Sequence, residues 1–259
     1  MFSLLSGDER IYFDCFLSMS FYSLELYDYS LAAMGSGHGI QGFSFILAPG
    51  DVCAVESPQA DDGRLFLRAL ATLVRPLRGS YVFKGQHHDL RRYNDMLGCK
   101  RKIGYVSPGV ALISNLSVKQ NLLLPRYYHE NKLDIDLDEP AMALCRAMGI
   151  EEKIDQRPAG LTPMEVQSAI IVRELIKMPE ILLLDQPEMV VGHSKFDALA
   201  GIFNRLIDER LPIVFFSYDE RLLSPFVNRK VRIADGRLTA ETVPAKPTGT
   251  TAEDDAGKR

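Results

Sequence analysis

Cysteine is scarce in this chain of 259 residues, and the four present (Cys15, Cys53, Cys99, Cys145) lie far apart at no metal-ligand spacing. That argues against a disulfide framework and a cysteine metal site, and predicts reduced structural thiols in a cytosolic protein. Histidine is as sparse: His38, His87, His88, His129 and His193 are scattered, and even His87-His88 reads as surface rather than as a metal site. No apolar run approaches the ~20 residues needed to span a bilayer. Asp8 and Glu9 interrupt the apolar N-terminus, and no basic leader region precedes them. The expectation is a chain neither exported nor membrane-spanning by itself. An excess of one charge sign is missing too: a net charge of -4 gives no whole-molecule attraction to nucleic acid or anionic lipid. Internal repeats are absent.

What is present is an ordinary globular composition, 46% hydrophobic and 25% charged, enough for one core or a core plus a lobe. The most informative stretch runs from Pro179 to Pro187, where Ile181-Leu182-Leu183-Leu184 ends in Asp185. A saturated apolar run with one carboxylate at its C-terminal tip describes a buried parallel strand that delivers an acid to a sheet edge. A helical pattern precedes it, another (194–209) follows, and the apolar strand Ile213 to Ser217 comes next, in the order of a βαβ unit. Upstream, Leu24 to Leu31 and Gly42 to Leu47 flank the turn Gly35-Ser36-Gly37-His38-Gly39 and predict a small antiparallel layer. Val52 to Val55, a polar loop and apolar residues at helical spacing from Leu65 give strand, loop and helix, the context a phosphate-binding loop requires. A basic cluster at Arg91, Arg92 and Lys100 to Lys102 reads as a solvated face. Residues from about 108 to 178 predict a helical lobe, and Val231 to Leu238 a closing hairpin across Asp235-Gly236. Residues 1–22 fit an apolar extension, and 244–259 a disordered tail.

Taken in order, these pieces resemble the nucleotide-binding (ATPase) subunit of ABC transporters over residues 23–243. The matching segments are Gly42 to Phe45 with Pro49-Gly50-Asp51, Leu70 to Leu73 with Pro76, Gly79 and Phe83-Lys84-Gly85, and Ile103 to Val106. Leu116-Ser117-Val118 through Asn121 and Pro125, Arg173-Glu174-Leu175, Ile181 to Pro187 and Asp235-Gly236-Arg237 complete the series. The resemblance implies an α/β fold: a P-loop NTPase-like core sheet, an antiparallel β subdomain and an inserted helical subdomain. Ala111 to Ile113 and Pro125 to Glu130 look most like subunits of MCE-type lipid transporters.

The residues at the family's working positions differ from its pattern. In the phosphate loop, Ser57 to Arg64, Gly63 stands at the lysine position and Arg64 at the magnesium hydroxyl, with Asp61 and Asp62 beside them. A triphosphate needs glycine-exposed N–H groups, a cation and a free helix N-terminus; here the two aspartates are expected to cap that helix and fill its anion site. Arg64 would have to reach past them to replace the lysine. In the signature region, Thr162 keeps a hydroxyl while Pro163 and Met164 replace glycines. On residues alone, Thr162-x-x-Glu165 with proline first in the helix is a capping box. Pro108 holds the glutamine position, Gln186 the general-base glutamate position, Tyr218 the switch histidine, Gly192 the D-loop aspartate, and Met34 or its neighbour the adenine-stacking aromatic. An amide cannot take a proton. Asp185 alone survives, as a strand-end carboxylate capping local backbone groups or, if ATP-Mg binds at all, as the metal ligand.

The resemblance therefore implies a cytoplasmic ABC subunit that has lost its catalytic residues. No cofactor is expected. Its partners would be an integral membrane permease and a second ABC ATPase, identical or different, with no nucleic acid; its role would be structural or regulatory, and lipid transport is one setting. Two alternatives stay open: a weak ATPase binding ATP and magnesium through Asp185, Gln186 and Arg64, and a soluble scaffold without a transporter.

Overall fold

A computed structural model describes residues 22–130, 134–187, 196–219 and 225–243. The expectations for 1–21, for the tail from 244 and for Gly192 fall outside them. Within them, the chain opens with β1 (Leu24–Leu31) and β2 (Ile40–Leu47), then β3 (Val52–Glu56), α1 (Ala60–Leu70), β4 (Arg78–Phe83) and β5 (Gln86–His88). Next come α2 (Tyr93–Lys102), β6 (Ile103–Val106), α3 (Val118–Glu130), α4 (Glu139–Ala147) and α5 (Pro163–Ile176). The C-terminal part is β7 (Ile181–Asp185), α6 (Phe196–Asp208), β8 (Ile213–Phe216), β9 (Arg229–Ala234) and β10 (Arg237–Thr242).

These strands form two sheets. The order β2-β1-β4-β5 is antiparallel throughout, as the alternating runs around the Gly-rich turn predict. The order β10-β9-β3-β8-β7-β6 is parallel from β9 to β6, with β10 added antiparallel at one edge. The last hairpin turns at Asp235 and Gly236, both at positive φ (49° and 74°), the conformation of a tight primed turn.

The central strands are continuous hydrophobic runs because both faces of the parallel sheet are covered. Alternate side chains enter opposite cores: Ile181, Leu183, Val214 and Phe216 pack with α1 and the antiparallel layer. Leu182, Leu184, Ile213 and Phe215 pack with the helices of the lobe and α6. The lobe is built on local signals. Ser117 and Gln120 cap α3 reciprocally, the serine hydroxyl accepting from Gln120 N–H at 3.1 Å and the glutamine oxygen from Ser117 N–H at 2.9 Å. Asp138 caps α4 through Ala141 N–H. Buried Asn121 pins the preceding loop: its oxygen accepts from Ile113 N–H at 2.7 Å and its amide donates to the carbonyls of Ile113 and Ser117 at 3.0 Å each.

Candidate functional site

Because β3, β6, β7 and β8 run parallel, their C-terminal ends share one edge, where an open α/β sheet binds ligands. Ser57, Ser107, Asp185-Gln186 and Ser217 follow or end those strands. Three residues separate β3 from α1, so the N-terminus of α1 faces the same edge.

The two aspartates of that N-terminus do not cap it. The N-cap is Gln59, without a side-chain bond, which places Asp61 and Asp62 second and third in the helix. Their carboxylates instead hold the Gly-rich turn between β1 and β2. Asp61 Oδ2 accepts from Ser36 N–H at 2.8 Å and from the Ser36 hydroxyl at 2.9 Å. Asp62, 1% exposed, accepts from His38 N–H at 3.1 Å and Gly39 N–H at 3.0 Å. The expected cap is thus corrected to a bridge between layers, in which negative charge still complements the helix dipole. A Cβ on Gly35 or Gly37 would sit 2.3 Å from an oxygen of Asp61 or Asp62, so a side chain there would displace the carboxylate that the turn binds. The Ser36 backbone N–H, and after it the Ser36 hydroxyl, hold the Asp61 carboxyl below its ordinary pKa.

Gly63 faces the sheet. A Cβ there would lie 2.5 Å from the ring of the fully buried Phe216, so the family's lysine position is filled by an aromatic ring from β8. Arg64 turns the other way: its Nη2 donates to Gln186 Oε1 at 2.7 Å, its Nε lies 3.6 Å from Asp185 Oδ2, and its Nη1 lies 3.9 Å from Asp61 Oδ1. Asp185 is 1% exposed and also accepts from the Ser107 hydroxyl at 3.1 Å. A serine hydroxyl and a guanidinium thus flank this carboxylate. Gln186 occupies left-handed φ (49°), fixed by its N–H donating to Phe216 O at 2.7 Å. One guanidinium thus stands against two carboxylates, Asp185 and Asp61, with the Gln186 amide oxygen as its hydrogen-bond acceptor.

The remaining family positions are held by contacts of their own. Ser57 is buried, its hydroxyl donating to Gln59 O at 2.8 Å within its own loop. Pro108 follows Ser107 in a turn closed by Val110 N–H on Ser107 O. Tyr218, 58% exposed, stacks edge-on against Phe216 with centroids 5.4 Å apart. Met34 accepts from Arg68 Nη1 at 3.2 Å through its sulfur. Thr162 caps α5 in the expected box: Glu165 accepts from its N–H at 2.7 Å and its hydroxyl at 3.0 Å, and returns its own N–H to that hydroxyl. Sequence reasoning missed Ser36, His38 and Gly39 as partners of the helix, Ser107 as partner of Asp185, and Phe216. Only the glycines at every second position from Gly35 to Gly39 signalled a close backbone approach.

The family model for ABC transporters matches residues 65–189, beginning directly after Arg64. A macrolide export ATP-binding/permease protein, MacB, of Syntrophobacter fumaroxidans is 29% identical over 206 residues, covering 78% of this chain and 29% of that protein. The molybdenum import ATP-binding protein ModC of Brucella melitensis is 30% identical over 74% of this chain and 53% of its own length. The lipoprotein-releasing ATP-binding protein LolD of Geobacter metallireducens is 26% identical over 78% of this chain and 90% of its own. The chain thus spans about a third of the first of these relatives and about half of the second. Their names denote three transport tasks and select none for this chain. A solved dimeric ATP-binding cassette bound to ADP and Pi superposes with a TM-score of 0.72 at 19% identity, covering 85% of this chain and 98% of that one. Sheet order, antiparallel layer, helical lobe and sequence matches agree, and the chain belongs to the family of ABC transporter ATP-binding domains.

Proposed function

We propose that this chain is an ABC transporter ATPase-like subunit that does not turn over ATP and serves as a structural or regulatory partner of a membrane permease. The observation that carries the reading is Arg64, whose guanidinium spans Gln186, Asp185 and Asp61 where a nucleotide's metal and phosphates would need open ligands. The residues present do not fit ATP and magnesium. Two carboxylates stand in the first turn of α1, where a phosphate would need free N–H groups and positive potential. Phe216 fills the space of a side chain at Gly63, so no cation arises there. Asp185, the one acid at the family's metal position, faces a guanidinium.

The permease would dock beside residues 108–128 and the helical lobe, placing the chain on the cytoplasmic face of the membrane; among the described residues no helix is long and apolar enough to cross it. It would pair with itself or with another ABC ATPase, offering the latter Thr162 as a signature hydroxyl. Lipid is the cargo class proposed, on the likeness of 111–113 and 125–130 to MCE-type subunits. Equilibrium binding of fluorescent ATP, with and without magnesium, tests the central claim. No saturable binding at millimolar nucleotide is expected, and micromolar affinity abolished by Asp185→Ala would overturn it. Recovery of the protein wholly in the soluble fraction, with no integral membrane protein bound, would overturn the docking half.

A further inference from the structure

Two joined grooves run along α2, α3 and α5. The smaller, about 490 Å3, has an apolar floor of Leu97, Leu124 and Pro125, and around it stand four basic side chains against a single acid, Glu174. In a chain of net charge -4 this is a local reversal of sign. The larger, about 610 Å3, shares Arg101, Pro125 and Lys177 with the first and continues past Met178 to Glu180. Two large apolar side chains are exposed at these grooves, Tyr128 at 68% in the smaller and Met178 at 84% in the larger.

The start of the described chain lies close by. Glu180, on the groove wall, pairs with Lys84 at 2.8 Å and Lys102 at 2.9 Å. Lys84 N–H donates at 3.2 Å to the carbonyl of Ser23, the residue just ahead of β1. One lysine side chain therefore separates the first strand's entry from the groove. Upstream are residues 1–21, which extended would reach about 70 Å, far more than the groove requires. They combine apolar residues such as Phe13, Phe16 and Leu17 with Asp8, Glu9 and Asp14 against a single base, Arg10. Apolar content matches the floor, and the acidic balance matches the basic rim.

We propose that residues 1–21 bind this groove within the same molecule, apolar side chains on Leu124, Pro125 and Tyr128 and acidic ones toward Lys100, Arg101 and Lys177. The consequence that this cover competes with a permease segment rests on the docking reading above; the occupancy itself does not. Tethering makes such binding intramolecular, so modest contacts suffice.

Zero-length carbodiimide coupling on the full chain tests it, with light and heavy isotope-labelled protein mixed before reaction. The expected result is single-label links from Asp8, Glu9 or Asp14 to Lys100 or Lys177. Links chiefly to lysines away from the groove such as Lys119 or Lys230, mixed-label links between two copies, or no links would overturn the proposal. A second measurement is amide exchange over 118–130 in the variant Asp8→Lys, Glu9→Lys, Asp14→Lys. About tenfold faster exchange is expected, equivalent to about 1.4 kcal/mol of lost cover; unchanged exchange would count against it. A chain that captures an integral membrane protein yet gives no such links keeps the docking reading and loses this one.

Discussion

At Gly63 two rules give opposite signs, and their magnitudes decide. In a helix interior alanine is better than glycine by about 1 kcal/mol. The same methyl, however, would lie 2.5 to 2.8 Å from three atoms of the Phe216 ring, which is fully buried and cannot swing aside. Overpacking of that kind costs roughly 1–3 kcal/mol. Gly63→Ala is therefore expected to lower the urea midpoint without changing its slope, and Gly63→Lys to lower it further without creating ATP hydrolysis. A stabilised Gly63→Ala would show that the ring does not sit against the helix. In the sequence, Gly63 is visible only as a missing lysine. The ring that makes glycine necessary comes from β8, across the sheet, and no spacing in the chain announces that contact.

Among elements, what could be read from sequence were devices that close over three or four residues. The box Thr162–Glu165 is local, and it forms. The run Ile181 to Asp185 was legible because burial on both faces leaves no polar position to interrupt it. Asp61 and Asp62 misled because helix-start acids commonly cap, whereas here α1 starts at Ala60, too early for either to be the N-cap, and their partners lie in another layer. That bridge predicts an acid response. Bonds from Ser36 lower the folded pKa of Asp61, so its contribution is complete above the unfolded value, about 3.9, and is lost as pH falls from there through the folded one. Asp61→Asn should be less stable than the parent at neutral pH, with the difference shrinking as urea titrations move below that range. A constant difference down to the lowest pH would remove the carboxylate from the bridge. Asn121→Leu makes a harsher change, leaving Ile113 N–H without its acceptor at a cost of about 1–3 kcal/mol, read as loss of thermal midpoint.

For the whole molecule, the fold was legible because element order carries it: strand, loop and helix form from Val52 to Leu70 whatever side chains stand in the loop between them. The reaction was legible only as departures from a family pattern, and their physical meaning needed the contacts of Arg64 and Phe216. Folding thermodynamics provide a test that involves no turnover. A ligand that binds only the folded state stabilises it in proportion to the logarithm of its concentration over its Kd. Millimolar ATP acting at a micromolar site would add about 4 kcal/mol, which for a domain of this size raises Tm by roughly 8–16 °C. We expect the chain to show no such rise with ATP and magnesium together, and none in Arg64→Ala, because freeing Asp185 from its guanidinium leaves Phe216 against Gly63 and both aspartates at the helix N-terminus. A rise confined to Arg64→Ala would mean that the guanidinium alone closes the site; a rise in the parent protein would mean that the site is open to nucleotide after all.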